Sequence, residues 1–150
     1  MSEQKALNVG PSRIEVAYER FGDPQAPPVL LVQGLAMQML GWHEEFCAEL
    51  VAHGVQVIRF DNRDVGLSSH FPDAPEPDLR AALAGDLSSA MCDVSGGRAT
   101  AAAIPGAELV IFDGMGHHLP RAAWPEITSL IAGLVRRAEA ATPPAWRRSW

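Results

Sequence analysis

The chain has 150 residues, of which 47% are hydrophobic, and it carries a formal net charge of -6 at pH 7. A domain of this size can bury a substantial core, and its acidic balance gives no field that attracts nucleic acid or an anionic membrane. The first ten residues contain no apolar signal segment and no apolar run approaches the ~20 residues of a membrane helix, so we expect a cytoplasmic protein.

The two cysteines, Cys47 and Cys92, are far apart in the sequence and belong to no CxxC motif. No histidine stands at zinc-ligand spacing from either of them. The sequence therefore predicts neither a disulfide framework nor a structural metal.

The first patterned segment, residues 13–20, alternates in polarity as a half-buried strand does. Ile14, Val16 and Tyr18 fall on one face, and charged residues fall on the other. The preceding residues 6–9 are placed to pair with this segment across a Gly-Pro turn. We therefore predict a hairpin at one edge of a sheet.

The stretch Pro28–Trp42 joins an apolar strand to a glycine-containing loop and then to a helix. Val29–Val32 is a continuous apolar run, which predicts a parallel strand covered on both faces. Gly34 lets the backbone turn sharply and leaves the next amides exposed at the carboxyl end of the strand. Such an amide can receive a developing negative charge, as an oxyanion hole does; the alternative is that Gly34 only ends a core strand.

A helix and another strand follow. Trp42, Phe46 and Leu50 recur at helical spacing with acidic residues facing away, and Gly54 supplies the stop. Residues 55–60 are then predicted to form the next strand. Because a strand, a helix and a strand this close in sequence form a right-handed unit, the two strands are predicted to be parallel.

The loop 61–69, DNRDVGLSS, begins where that strand ends. Asp61 can accept hydrogen bonds from turn amides, and Arg63 can tie the loop to carboxylates or carbonyls. Gly66 can take a dihedral angle that other residues do not tolerate. The loop is therefore predicted to be structural support for a site.

The second half of the chain has fewer clear patterns. Residues 79–87 and 97–103 predict short helices, and residues 108–113, ELVIFD, predict a last buried strand. Pro125 opens a longer amphipathic helix. The predicted apolar face of that helix consists of Ile127, Leu130, Ile131, Leu134 and Val135.

Three features, in this order, resemble the α/β-hydrolase superfamily and its small esterase-like members in particular. They are the strand and glycine loop of Val29–Trp42, a D-x-R-x-x-G-x-S loop (Asp61, Arg63, Gly66, Ser68), and a strand into G-x-G-H before the last helix. The resemblance implies an α/β fold with a mainly parallel sheet flanked by helices. It also implies a small apolar ester-like substrate.

The resemblance also assigns roles to single residues. It maps an oxyanion amide to Leu35, with Gln33 or Ala36 nearby, and the catalytic histidine to His117; the alternative for His117 is a plain loop hydrogen bond. A metal held by His117 and His118 would need further ligands from other loops. Gly114 and Gly116 suggest a dinucleotide-binding motif, but the position of its third glycine is occupied by Leu119. We therefore predict neither a metal nor a cofactor.

The nucleophile of the family is absent. Its G-x-S-x-G elbow occurs nowhere, and the nearest string, Asp93–Gly97, lacks the leading glycine and a preceding buried strand. The acid loop is missing as well, so the chain resembles both ends of an α/β-hydrolase joined near Ala90 and Met91. An internal deletion or a wrongly read gene explains this best. We predict one truncated domain over residues 1–142 and a tail over 143–150.

Two functions follow from these features. In the first, the chain is a shortened hydrolase of carboxylic esters with little or no activity. In the second, it is a non-catalytic binding or dimerising domain. A sheet without its centre leaves apolar surface open, so we expect a homodimer or poor solubility. To cover the open edge, residues 108–113 are predicted to pair in parallel beside residues 29–33.

Overall fold

Four stretches of the chain are described by the computed structural model: residues 4–34, 36–72, 94–116 and 118–141. The chain divides into two compact units, Met1–Pro72 with Arg121–Trp150 and Asp73–Pro120. Each unit is therefore described by itself, and the single domain over residues 1–142 stays a prediction.

The first unit is built on a four-stranded sheet. Its strands are β1 (Gln4–Val9), β2 (Ile14–Phe21), β3 (Pro28–Leu31) and β4 (Gln56–Phe60). They lie in the order β1-β2-β4-β3, with β2 antiparallel to β1 and to β4, and β3 parallel to β4. The α/β class, the predicted hairpin and the predicted parallel pair are confirmed. The sheet itself is mixed, with a single parallel pair among the described strands.

Helix α1 (Glu44–Ala52) connects the two parallel strands. It begins two residues after Trp42, whose ring stacks on the ring of Phe46 with a centroid distance of 5.7 Å. Phe46 and Leu50 are buried, as their spacing predicts. Gly54 follows the helix with a φ of +84°, which glycine adopts without steric cost.

Helix α1 covers one face of the sheet. Phe21 pairs with Val57, and Leu31 pairs with Arg59, so these four residues lie on the same face, and all are buried. The opposite face carries Leu30, which is 57% exposed. The prediction that Val29–Val32 is covered on both faces is therefore wrong, because β3 lies at an edge of the sheet with one face uncovered.

Strand β2 also differs from its prediction in which face is more buried. Ala17 and Phe21 are buried, whereas Ile14, Val16 and Tyr18 are only half-buried. The reason is that α1 packs on the face that carries Ala17. Glu19 lies on the same face and pairs with Arg59 of β4.

The last helix, α3, runs over Trp124–Ala141 after a single 3₁₀ turn at Arg121–Ala123. The predicted helix is confirmed, but its buried centre is formed by Trp124, Thr128 and Ala132. Leu130 and Leu134 are 39% and 60% exposed, so the predicted apolar face is rotated away from the core. The small side chains of Thr128 and Ala132 let α3 pack closely, and the Trp124 ring meets Phe46 edge-on at 5.5 Å.

The described part of the second unit contains helix α2 (Val94–Ala103), which confirms the predicted alanine-rich helix. Residues 108–113 form no strand, and Leu109, Val110 and Ile111 are exposed. The predicted strand and its pairing beside residues 29–33 are therefore wrong, because a high β-propensity does not by itself make a segment a strand. The helix predicted at 79–87 and the tail at 143–150 lie outside the described residues.

No helix in the described stretches is both long enough and apolar enough to cross a lipid bilayer.

Candidate functional site

Two loops leave the same edge of the sheet because β3 and β4 are parallel. We call them the β3 loop (residues 32–42) and the β4 loop (residues 61–71). The Met39 amide donates a hydrogen bond to Asp61 Oδ1 at 2.7 Å, and Asn62 Nδ2 donates to the Gln33 carbonyl at 3.2 Å. The structure thus brings together the two segments that the sequence singles out.

Asp61 is the centre of this connection. Its side chain is buried, and its second carboxylate oxygen accepts the Leu67 amide at 3.0 Å. Gly66 has a φ of +54°, and a Cβ atom built on it would lie 2.0 Å from Asp61 Oδ2. The glycine is therefore required both for its dihedral angle and for the space that the carboxylate occupies.

Ser68 anchors the β4 loop to strand β2. Its hydroxyl donates to the Asp61 carbonyl at 2.7 Å and accepts the Ala17 amide at 2.9 Å. Ser69 repeats the pattern, since its hydroxyl accepts the Glu15 amide at 2.9 Å. Because the Ser68 hydroxyl is buried and donates to a carbonyl rather than to a base, it has no activating partner for nucleophilic attack.

Arg63 binds its neighbour rather than a distant group. Its Nε donates to Asp64 Oδ2 at 2.8 Å, and its guanidinium lies 5.3 Å from the centre of the Phe71 ring. Asp64 also accepts the Phe71 amide at 2.7 Å. That hydrogen bond, with the charge of Arg63 as a further cause, holds the pKa of Asp64 below its ordinary value. Sequence analysis missed Asp64; its signal is an acid in a turn-rich loop.

The backbone strain of the β3 loop lies at Ala36. Its φ is +59°, a left-handed value that costs a non-glycine residue about 1 kcal/mol, whereas the φ of Gly34 is not positive. Ala36 is exposed, and its amide donates to no residue in the described stretches. Leu35 and His117 lie outside the described residues, so their assigned roles stay predictions.

Arg59, which sequence analysis did not single out, joins the start of α1 to the sheet. It is 1% exposed, and its Nε donates to Glu19 Oε2 at 2.7 Å. Its guanidinium also donates to the Trp42 carbonyl at the end of the β3 loop. The signal was Arg59 as the single charged residue of β4, opposite Glu19 of the neighbouring strand β2.

An open depression of about 440 Å³ lies beside this cluster, lined by Leu40, His43, Glu44, Glu45 and Arg59. The pKa of Glu45 is below its ordinary value, first because of a hydrogen bond to its own backbone amide and next because of Arg121, whose Nη2 is 3.4 Å away. Among the described residues, no hydroxyl or thiol lines the depression.

Two further observations limit the chemistry of the described stretches. Cys47 is fully buried, and burial raises the pKa of its thiol to about 11, so it is not a reactive thiolate. Within the same stretches, no three His, Cys, Asp or Glu side chains come together in a way that could hold a metal ion.

No protein-family model matches the chain. Over 59 residues it is 42% identical to rhodomycin D methylesterase DauP of a Streptomyces species and 44% identical to rhodomycin D methylesterase DnrP of Streptomyces peucetius. Each match takes in 39% of this chain and 20% of the relative. The chain thus spans about a fifth of the length of the curated relatives that it matches.

Two solved structures are similar to part of the chain. The bromoperoxidase from Bacillus anthracis is 33% identical over 45% of this chain and 23% of its own, with a TM-score of 0.37. The epoxide hydrolase A from Mycobacterium thermoresistibile is 27% identical over 51% of this chain and 21% of its own, with a TM-score of 0.40.

Proposed function

Since the chain belongs to the α/β-hydrolase superfamily and matches only a fragment of its relatives, we propose that it derives from a hydrolase of carboxylic esters and forms no acyl-enzyme itself. The hydrolase origin is supported by the identity of 42% and 44% to two methylesterases. The proposal that no acyl-enzyme forms is supported by the absence of a G-x-S-x-G nucleophile from all 150 residues.

The hydrogen-bonded loops support this lineage because they make a scaffold for an oxyanion hole. Asp61 holds the β3 loop through Met39, and the exposed, left-handed Ala36 leaves an amide without a partner among the described residues. In this proposal the Leu35 amide, with Ala36 beside it, receives the negative charge of the tetrahedral intermediate. The substrates of the lineage are small apolar carboxylic esters.

The remaining parts of the mechanism are incomplete. Acyl transfer needs a hydroxyl or thiol within hydrogen-bond reach of a base, and a third group that holds the base in one tautomer. His117 is the proposed base, but Ser68 donates its proton to a backbone carbonyl and Cys47 is a buried, protonated thiol. Only a water activated by His117 could then attack a reactive ester.

The turnover of p-nitrophenyl acetate tests this proposal. A triad enzyme stripped of its triad retains ~10³ to 10⁴-fold catalysis over water, and we expect less here because walls of the pocket are missing as well. His117→Ala should remove whatever rate exceeds the buffer rate, and His53→Ala, at an exposed histidine after α1, should not. A burst of p-nitrophenol equal to the protein concentration would overturn the proposal, because it reports an accumulating acyl-enzyme.

A second candidate function is a non-catalytic domain that binds or dimerises. The observation that favours it is the exposure of Leu30 and Val32, each 57%, beside the outer edge of the sheet. Equal buffer-level rates for wild type and His117→Ala would leave this candidate as the better one.

A further inference from the structure

The end of strand β4 contributes two buried charges of opposite sign to the β3 loop. Arg59 lies one residue before the end of the strand, and Asp61 is the first residue after it. Their side chains are both buried. Because a buried charge is costly unless it is hydrogen-bonded, the partners that these two side chains take are part of what determines the local structure.

Both side chains bind the same short turn, at its two ends. Residues Met39–Gly41 form a 3₁₀ turn in the second half of the β3 loop. Asp61 accepts the first amide of this turn at 2.7 Å, and the Arg59 guanidinium donates to the carbonyl of Trp42, the residue after the turn. In the described stretches no backbone amide donates to that carbonyl. The turn is therefore held from β4 at both ends.

The strained residue of the loop, Ala36, lies between anchored points. Its φ of +59° is a left-handed value that an alanine adopts only at a cost. Such strain persists only where the surrounding structure over-determines it. Before Ala36, Asn62 Nδ2 donates to the Gln33 carbonyl at 3.2 Å, and after it Asp61 and Arg59 hold the 3₁₀ turn. These contacts supply the constraint that the strain requires.

From these observations we propose that Arg59 is a positioning residue for the β3 loop. By holding the far end of the 3₁₀ turn while Asp61 holds the near end, it keeps Ala36 in its left-handed conformation and so fixes the direction of the Ala36 amide. The use of that amide as an oxyanion donor rests on the proposed function. The hold on the loop does not.

The guanidinium of Arg59 has two separable roles because it uses different nitrogens for each. Nε and Nη2 bind the Glu19 carboxylate and join β4 to β2, whereas Nη1 binds the Trp42 carbonyl. The rigid fork of arginine can serve both partners at once. Replacing both members of a buried ion pair by apolar residues of similar size is often neutral for stability. Such a double replacement therefore preserves the sheet and removes only the hold on the loop.

Amide hydrogen exchange of the full chain, measured by NMR, tests the proposal with the double variant Glu19→Met and Arg59→Met. The Gly41 and Trp42 amides, which close the 3₁₀ turn, should exchange at least tenfold faster, because a hydrogen bond from a charged group is lost. The sheet amides of β2 and β4 should exchange as in the wild type. The strong amide-to-Hα cross-peak of Ala36, which marks its positive φ, should weaken.

The matched control is the double variant Lys5→Met and Glu15→Met, which removes a largely exposed ion pair between β1 and β2. It should leave the exchange of the turn amides unchanged. If the first double variant does not fold by circular dichroism, Arg59→Lys decides by the same comparison, since lysine keeps a charge for Glu19 but not the fork.

Two results would overturn the proposal. Turn amides as protected as in the wild type would show that Arg59 does not hold the loop, and equal acceleration of turn and sheet amides would show that it only stabilises the fold. Exchange reports the loop and not turnover. This proposal can therefore fail while the p-nitrophenyl acetate result supports the hydrolase lineage, and the reverse.

Discussion

At Gly66 a single hydrogen atom stands where any side chain would collide with the Asp61 carboxylate. The φ of Gly66 is +54° and a Cβ would lie 2.0 Å from Asp61 Oδ2, whereas Gly10 has a φ of +66° with nothing within 4 Å. Gly66→Ala should therefore cost at least about 2 kcal/mol in urea unfolding, and Gly10→Ala only about 1 kcal/mol. Equal losses at the two glycines would show that Asp61 does not need this space.

Cys47 provides a pH-dependent test at the same scale. Burial raises the pKa of its thiol to about 11 from an ordinary value of 9.0, so the unfolded chain releases this proton at a lower pH than the folded chain does. The contribution is therefore fully present below pH 9 and is lost as the pH rises from 9 to about 11. Urea unfolding should show a steeper loss over this range for the wild type than for Cys47→Ala, and identical slopes would contradict the assignment.

Among the elements, β2, β4 and the start of α1 are joined by one buried ion pair. Arg59 is 1% exposed, and its Nη2 lies 2.5 Å from Glu19 Oε2 and 3.7 Å from Oε1 of the largely exposed Glu44 at the start of α1, so removing Glu19 leaves the buried charge with only this weaker partner. We expect Glu19→Ala to cost about 3 to 5 kcal/mol in the free energy of unfolding. Glu15→Ala on the same strand breaks a pair whose side chains are both about half exposed and should cost less than about 1 kcal/mol. A similar cost for both variants would contradict a structural role for Arg59.

The elements also show how far sequence patterns reach. The hairpin, the parallel pair and the helices at 44–52, 94–103 and 124–141 were predictable because each depends on the periodicity of a short segment. The predictions that failed are those that depend on which element covers a given face: Leu30 lies at a sheet edge and is exposed, and α3 turns Thr128 and Ala132 rather than its leucines to the core. Residues 108–113 have the composition of a strand but form none.

The candidate site was predictable to a similar extent. Asp61 and Gly66 stand out in the sequence because an acid and a glycine at fixed spacing in a loop have a physical use. Arg59 and Asp64 do not stand out, because their partners lie on another strand or depend on the loop conformation. Long-range pairing of this kind leaves little trace in a single sequence.

For the whole molecule, we propose a hydrolase lineage whose nucleophile is absent from this sequence. Asp61 and Asn62 hold the loops beside β3 and β4 together, and Ser68 ties the β4 loop to strand β2. The chain spans about a fifth of the methylesterases that it matches, and no serine in it occupies a G-x-S-x-G turn. A retained scaffold without a nucleophile should fold and still leave esters unmodified.

The most direct measurement is the intact mass of the full chain after incubation with a fluorophosphonate, which reacts covalently with activated serines. We expect a mass equal to that of the untreated protein, because every acyl-enzyme route requires an activated hydroxyl or thiol. Stoichiometric addition of one phosphonyl group, abolished by replacing a single serine with alanine, would contradict the account.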